Sequence, residues 1–260
     1  MHAELFDTHA HIHFPDYELD ADEVWQSAIN EGITRMIAVG CRVKDSKLAV
    51  DFASKHDNVW AAVGVHPHEA REFLGEESSK RDLEALLSDV QGSKIVAIGE
   101  IGLDYFYEHS NKDEQLELLE FQMSLAEKYG LPVIFHVRDA FNDFWPIFDR
   151  YNIKKGLIHS FTGVKSDVEQ ILGRGLYVGL NGIMTFTKHD DQLEAAKAVP
   201  LENLVLETDA PYLTPKPFRG KICKPEHVKL TAEFLAELRG EPFEQLARQT
   251  TVNARRFFNV

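Results

Sequence analysis

The amino-acid sequence predicts an α/β fold, a TIM (β/α)8 barrel. Three observations carry that expectation. Eight short apolar runs rich in Val, Ile and Ala recur along the chain, and each precedes a helical pattern. The runs hardly alternate between apolar and polar residues, as suits parallel strands covered by helices. The length of 260 residues fits one barrel of about 250 residues. A doubly wound open sheet is the alternative, and eight regular units weigh against it. No linker, low-complexity tract or repeat beyond the βα rhythm is visible, so residues 1–260 are expected to form one domain.

The first strand is read over Leu5–Ile12, and a helix over Asp20–Glu31 stops at Gly32. Strand two is Arg35–Gly40, followed by a helix over Lys44–His56. Strand three is Val59–His66, running into Pro67. A helix over Ser79–Val90 shows Leu83, Leu86, Leu87 and Val90 on one face. Strand four is Lys94–Gly102. The next helix, Asn111–Tyr129, starts with a capping pair, Asn111 and Glu114, and closes at Gly130. Strand five is Pro132–Val137 and its helix Ala140–Tyr151. Strand six is Gly156–Phe161 and its helix Ser166–Arg174. Strand seven is Leu176–Asn181 and its helix Asp190–Ala198. Strand eight is Leu204–Asp209. A loop with four prolines, Pro211–Pro225, leads to two closing helices, Glu226–Arg239 and Pro242–Phe258.

The 28 basic and 42 acidic residues give a net charge of −14, which argues against a broad basic nucleic-acid surface. Nucleic acid stays possible as a substrate, because divalent cations hold phosphates where few Lys or Arg stand. Two cysteines, Cys41 and Cys223, form no disulfide framework and suit a reducing cytosol. Neither a signal peptide nor a membrane-length apolar run is visible, so a cytoplasmic protein with no membrane partner is expected.

Catalytic groups of a TIM barrel gather at the carboxyl ends of its strands. Here those ends carry His9 and His11 on strand one, His66 on three, Glu100 on four, His136 on five, His159 on six, and Glu207 and Asp209 on eight. Residues i and i+2 of a strand point the same way, so His9 and His11 can grip one ion. A lone buried histidine is more often a hydrogen-bonded core residue than a ligand. Four histidines and two carboxylates at matching strand ends call for a metal centre. The strand ends assign His9, His11 and Asp209 to one divalent ion, His136 and His159 to a second, and Glu100 as the bridge. Imidazole and carboxylate ligands suit Mg, Mn or Zn. Asp7, Thr8 and Ala10 receive no ligand role, Asp7 being read as out of phase with the two histidines.

The motifs Phe6-Asp7-Thr8-His9-Ala10-His11, Val63-Gly64-Val65-His66-Pro67-His68, Gly99-Glu100-Ile101-Gly102-Leu103-Asp104-Tyr105, Phe135-His136-Val137-Arg138-Asp139, His159-Ser160-Phe161-Thr162-Gly163 and Glu207-Thr208-Asp209-Ala210-Pro211-Tyr212-Leu213 resemble, in this order, the TatD-type metal-dependent deoxyribonucleases. The resemblance spans nearly the whole chain. It implies a barrel of the metal-dependent hydrolase type, two divalent metals, and hydrolysis of DNA phosphodiester bonds, often from 3′ to 5′. By position, the family's ligands fall on His9, His11, Glu100, His136, His159 and Asp209. One departure stands out: the family follows its Arg-Gly-Lys with Asn-x-Pro, where this chain has Ile222-Cys223-Lys224-Pro225.

Other residues earn weaker roles. Glu100, Asp209, Glu207 and His66 are the catalytic candidates, Glu207 because it is in phase with Asp209, and His66 as a contact to phosphate or leaving group. His68, Arg138 and Arg219 are the substrate-binding candidates, each against a plain loop or salt-bridge role. Asp104 is a candidate to hold a ligand histidine. Phe14, Tyr105, Phe106 and Tyr107 lie in rim loops where bases could stack. The expected function is a DNA-cleaving hydrolase with a metal-activated water, acting as a monomer on single-stranded DNA with no protein partner. The alternative is a related amidohydrolase acting on a small-molecule amide, lactone or phosphoester. Many such barrels carry a carboxylated lysine on strand four, and Glu100 at that position favours the nuclease.

Overall fold

The structure is a computed structural model, and it describes residues 4–88, 90–107 and 109–260. In chain order the strands and longer helices are β1 (Leu5–Ala10), α1 (Ala21–Asn30), β2 (Ile33–Val39), α2 (Val43–Lys55), β3 (Val59–Val63), α3 (Ala70–Gly75), α4 (Ser79–Leu87), β4 (Ile95–Asp104), α5 (Lys112–Tyr129), β5 (Val133–Arg138), α6 (Phe141–Phe148), β6 (Gly156–Ile158), α7 (Lys165–Gly173), β7 (Tyr177–Leu180), α8 (Asp190–Ala198), β8 (Leu204–Leu206), α9 (Val228–Arg239) and α10 (Phe243–Phe258). The eight strands follow one another in a single sheet in sequence order. A parallel bridge between Ala10 and Ala210 links the end of β1 to the segment after β8. This is the TIM-barrel order. By contacts the chain divides into two compact units, Met1–Ile37 with Ser160–Val260, and Ala38–His159. Among the described residues no helix is long and apolar enough to cross a membrane.

In the unit Met1–Ile37 with Ser160–Val260, α10 packs on β1 and β8. Its buried residues Leu246, Ala247, Thr250, Ala254, Phe257 and Phe258 recur at helical spacing and form one stripe. Each large apolar side chain so buried contributes about 1.5–3 kcal/mol. Polar groups set the register within that stripe. The Asn253 side-chain amide donates to the carbonyls of Leu201 (2.7 Å) and Leu204 (2.8 Å), and Thr251 Oγ1 donates to the Glu4 carbonyl (2.9 Å).

In the unit Ala38–His159, α2 packs on β3 and α5 on β4. The Asn111–Glu114 capping box forms as the sequence predicts, and Gly130 ends α5 with φ 66°. The β4–β5 pair carries the feature that matters for the site. Its register passes from Ile98 opposite Val133 to Ile101 opposite Phe135, which leaves one extra residue in β4 beside Glu100. Such a bulge re-aims the side chain next to it. Gly102 makes the close approach possible: its φ is 148°, and a Cβ there would sit 1.9 Å from the His136 carbonyl oxygen.

Several boundaries differ from expectation. β1, β3, β6 and β8 stop at Ala10, Val63, Ile158 and Leu206, short of Ile12, His66, Phe161 and Asp209. The reason is visible at two of them. Ser160 and Asp209 have φ of 47° and 62°, and a pleated strand cannot continue through that region. β4 and β5 instead run on to Asp104 and Arg138. The short helix α3, Ala70–Gly75, was not anticipated, and α6 stops at Phe148 rather than Tyr151.

Two outcomes follow. Gly102→Ala is expected to lower stability by ~3 kcal/mol, from the clash and the disfavoured φ, read as a fall in thermal midpoint. The turn before α9 is expected to be acid-sensitive. His227 Nδ1 accepts from the Lys224 N–H (3.1 Å), and its ring stacks on Phe218 at 5.3 Å. Burial, against the pull of Glu226, pushes this imidazole below its ordinary value. The folded state therefore binds fewer protons than the unfolded chain, and stability falls as pH drops below about 6.5. His227→Asn should flatten that part of the thermal midpoint against pH curve.

Candidate metal centre

In the unit that holds both chain ends, His9 near the end of β1 and His11 just beyond it come together. His9 Nε2 and His11 Nε2 lie 3.1 Å apart, and Asp209 Oδ1 is 3.7 Å from the first and 3.3 Å from the second. Backbone bonds clamp the two segments: Asp209 N donates to the His9 carbonyl (2.9 Å) and His11 N to the Ala210 carbonyl (2.6 Å). Asp7 adds a second clamp. Its Oδ1 accepts from the Thr208 N–H (2.9 Å) and its Oδ2 from Thr208 Oγ1 (2.6 Å). Burial pushes the Asp7 carboxyl up to about 8, despite the bonds from Thr208 and His9. Its supposed phase mismatch is an error: residue 7 shares the parity of 9 and 11, and that signal marks it as part of this cluster. Glu207, fully buried, accepts from the Ser160 N–H (2.6 Å) and from the Asn181 side chain (3.3 Å).

In the unit Ala38–His159 the centre is Glu100. Its Oε2 lies 2.9 Å from His159 Nε2, 3.6 Å from His136 Nδ1 and 4.0 Å from His66 Nε2. Its Oε1 accepts from the Cys41 thiol at 3.2 Å. His136 Nδ1 faces His159 Nε2 at 3.2 Å. Asp104 Oδ2 holds the other side of His136, 2.9 Å from Nε2, and also His68 Nε2 at 3.0 Å. Burial alone would raise the Asp104 carboxyl, but the bonds from His136 and His68 outweigh it and keep it well below the usual carboxylate range. Burial likewise opposes charge on His136, and the bonds to Asp104 and Glu100 win, so its value rises.

In each unit two imidazole nitrogens face each other at hydrogen-bond distance with a carboxylate oxygen close by. Converging lone pairs of this kind fit a divalent cation, and the donor types fit Mg, Mn or Zn. His136 shows the usual arrangement for a ligand imidazole, in which one nitrogen is held by a carboxylate and the other faces the remaining donors. His66, Glu100 and His136 also bring donor atoms within 4.8 Å of one another. His66 is poorly suited to ligation, however. Its Nδ1 accepts from the His68 N–H (3.1 Å), so the neutral ring carries its proton on Nε2. Burial and the neighbouring His136 hold it well below its ordinary value, hence neutral.

The substrate-binding candidates divide three ways. His68 is engaged by Asp104. Arg138 lies over the Phe106 ring at 3.9 Å and the Tyr107 ring at 5.0 Å. Arg219 staples its own loop, donating to the Thr214 carbonyl (2.8 Å) and covering Phe186 at 3.7 Å. Cys223 is buried, and burial pushes its thiol up, away from nucleophile behaviour. Two glutamines of α5 were missed. Gln115 trades bonds with the backbone N–H and carbonyl of Asp104, and Gln122 does the same with Val65. They stand seven residues apart, a spacing that places them on one helix face.

Comparison with known proteins finds relatives along the whole chain. The family model described as TatD related DNase matches residues 6–259. The uncharacterized metal-dependent hydrolase YabD of Bacillus subtilis is 37% identical, over 98% of this chain and 99% of its own. The 3′-5′ ssDNA/RNA exonuclease TatD of Erwinia tasmaniensis is 32% identical, over 98% and 100%. The crystal structure of the TatD homologue YjjV of Escherichia coli superposes with a TM-score of 0.92 at 29% identity, covering 99% of both chains. The barrel and these full-length matches together establish that the chain belongs to the TatD related DNase family.

Proposed function

We propose that the protein is a metal-dependent nuclease that hydrolyses phosphodiester bonds of single-stranded DNA, removing nucleotides from the 3′ end. The observation that carries this reading is the paired-imidazole and carboxylate cluster in each unit, on residues from the carboxyl ends of barrel strands. A barrel gathers those ends at one mouth. His9, His11 and Asp209 would hold one divalent ion, His136 and His159 another, with Glu100 shared. Full-length likeness to a relative named as a 3′-5′ ssDNA/RNA exonuclease supports the substrate class. Cys41 and Cys223 form no disulfide among the described residues, which suits a reducing cytosol.

Bound ions would supply Lewis acidity, lowering the pKa of a water and neutralising charge on the phosphoryl oxygens. The chain's own residues prepare for this. Asp104 accepts from His136 Nε2, which would leave Nδ1 as the ligand atom toward a bound ion. Cys41 occupies Oε1 of Glu100 and leaves Oε2 for the histidines. His66, with its proton on Nε2, is a donor to a phosphoryl or leaving-group oxygen. Glu207 is held by Ser160 and Asn181 in phase with Asp209, where it orients a water or ligand.

Incubation of 3′- and 5′-labelled single-stranded DNA with Mg or Mn should give stepwise shortening from the 3′ end. EDTA should abolish it, and Glu100→Gln should reduce it at least about 100-fold. A protein that cleaves a lactone or cyclic amide but no DNA or RNA would overturn the assignment. Asp104→Asn should weaken Mn binding about 10–100-fold in isothermal titration, because the replacement amide no longer fixes the His136 tautomer.

A further inference from the structure

Phe106 and Tyr107 are 55% and 44% exposed, two consecutive large rings in the loop after β4. Single exposed apolar residues are ordinary, but this pair is held in place. Asp104 Oδ1 accepts from both backbone N–H groups, at 2.9 and 3.0 Å. The rings meet edge to face, 4.8 Å apart at 81°. Arg138 lies against Phe106, and among the described residues its guanidinium forms no ion pair with an acid. A guanidinium stacked on a ring spends its face and keeps its N–H edge for a planar or tetrahedral anion.

We infer that Phe106, backed by Arg138, is a stacking platform for a nucleobase of the substrate strand, with the Arg138 N–H edge on an adjacent phosphate. This rests on the nuclease reading above. A nucleotide offers both a flat π-face and an anion, which matches the pair. An apolar peptide would leave the Arg138 cation without a counterpart. The platform is tied to the site by two links. Arg138 is two residues beyond His136 on β5, on the same face and about 7 Å farther along the strand. Asp104 grips His136 with one oxygen and the platform backbone with the other. The neighbouring 520 Å³ pocket is a weaker candidate, since its Arg42 and Arg71 are already paired with Glu69 and Glu114. Stacking is tolerant of base identity, and a base already stacked in a duplex cannot use it. The platform therefore selects single strands and frayed ends without choosing a sequence.

The test uses single-stranded DNA carrying 2-aminopurine at its 3′ end, with terminal phosphorothioate linkages to prevent cleavage, and full-length protein in Mg. Wild type and Phe106→Trp should quench the fluorescence on binding; Phe106→Ala and Phe106→Leu should not. On cleavable DNA, the Ala and Leu variants should show KM raised about tenfold with kcat within about twofold, and a reduced preference for single strand over duplex. Equal quenching and equal KM in all four proteins would overturn the platform while leaving the nuclease reading intact. Wild type that neither binds nor cleaves any nucleic acid would overturn both. Loss in Phe106→Ala alone, with Phe106→Leu like wild type, would show that apolar bulk suffices and would also overturn stacking.

Discussion

A single buried carboxylate, Asp104, is what much of the Ala38–His159 unit is built to hold. One of its oxygens takes the ring nitrogens of His136 and His68; the other takes two backbone N–H groups of the following loop. Gln115 occupies its main-chain N–H and carbonyl. A charge in an apolar interior is costly unless every lone pair finds a partner, and here the partners include two histidines of the candidate site. The stability of the carboxylate and the orientation of the histidine are therefore one interaction. Removing either leaves the other exposed to the desolvation cost.

The opposite chain segments solve a different problem. His9 and His11 come from the first strand and Asp209 from beyond the last, and they meet because short backbone bonds and the Asp7–Thr208 pair bind the segments together. Asp209 sits at φ 62°, outside the comfortable region for a residue with a side chain. Strain of this kind, about 1–3 kcal/mol, persists where the surroundings over-determine it. The chain belongs to a family of metal-dependent hydrolases, and its net charge of −14 has the sign that favours cations near such donors.

The barrel was legible because it rests on period and order, and the candidate donors stood out for the same reason. Strands of βα units repeat, and ligand types at strand ends stand out against apolar runs. What the sequence concealed was set by tertiary context. The bulge beside Glu100 follows from contact between β4 and β5, with Gly102 pressed against the His136 carbonyl. Ser160 and Asn181 meet Glu207 only after folding. The His66 tautomer depends on one backbone N–H two residues later. Asp7 was within reach of simple parity and was misread. At β1, β3, β6 and β8 the strand ends two or three residues earlier than the sequence suggests, and at Ser160 and Asp209 the reason is a positive φ.

The two glutamines of α5 carry a longer-range implication. Each amide imitates a peptide group and completes the backbone bonding of a loop, one at Asp104 and one at Val65, beside His66. The helix thus works as a ruler that fixes the spacing of two loops at two turns. One added or lost residue between Gln115 and Gln122 would rotate one of them by about 100°, and the loop it serves would lose its partner. The solvent face of α5 carries no such demand, but the number of residues between those two buried positions is constrained by the loops they bond.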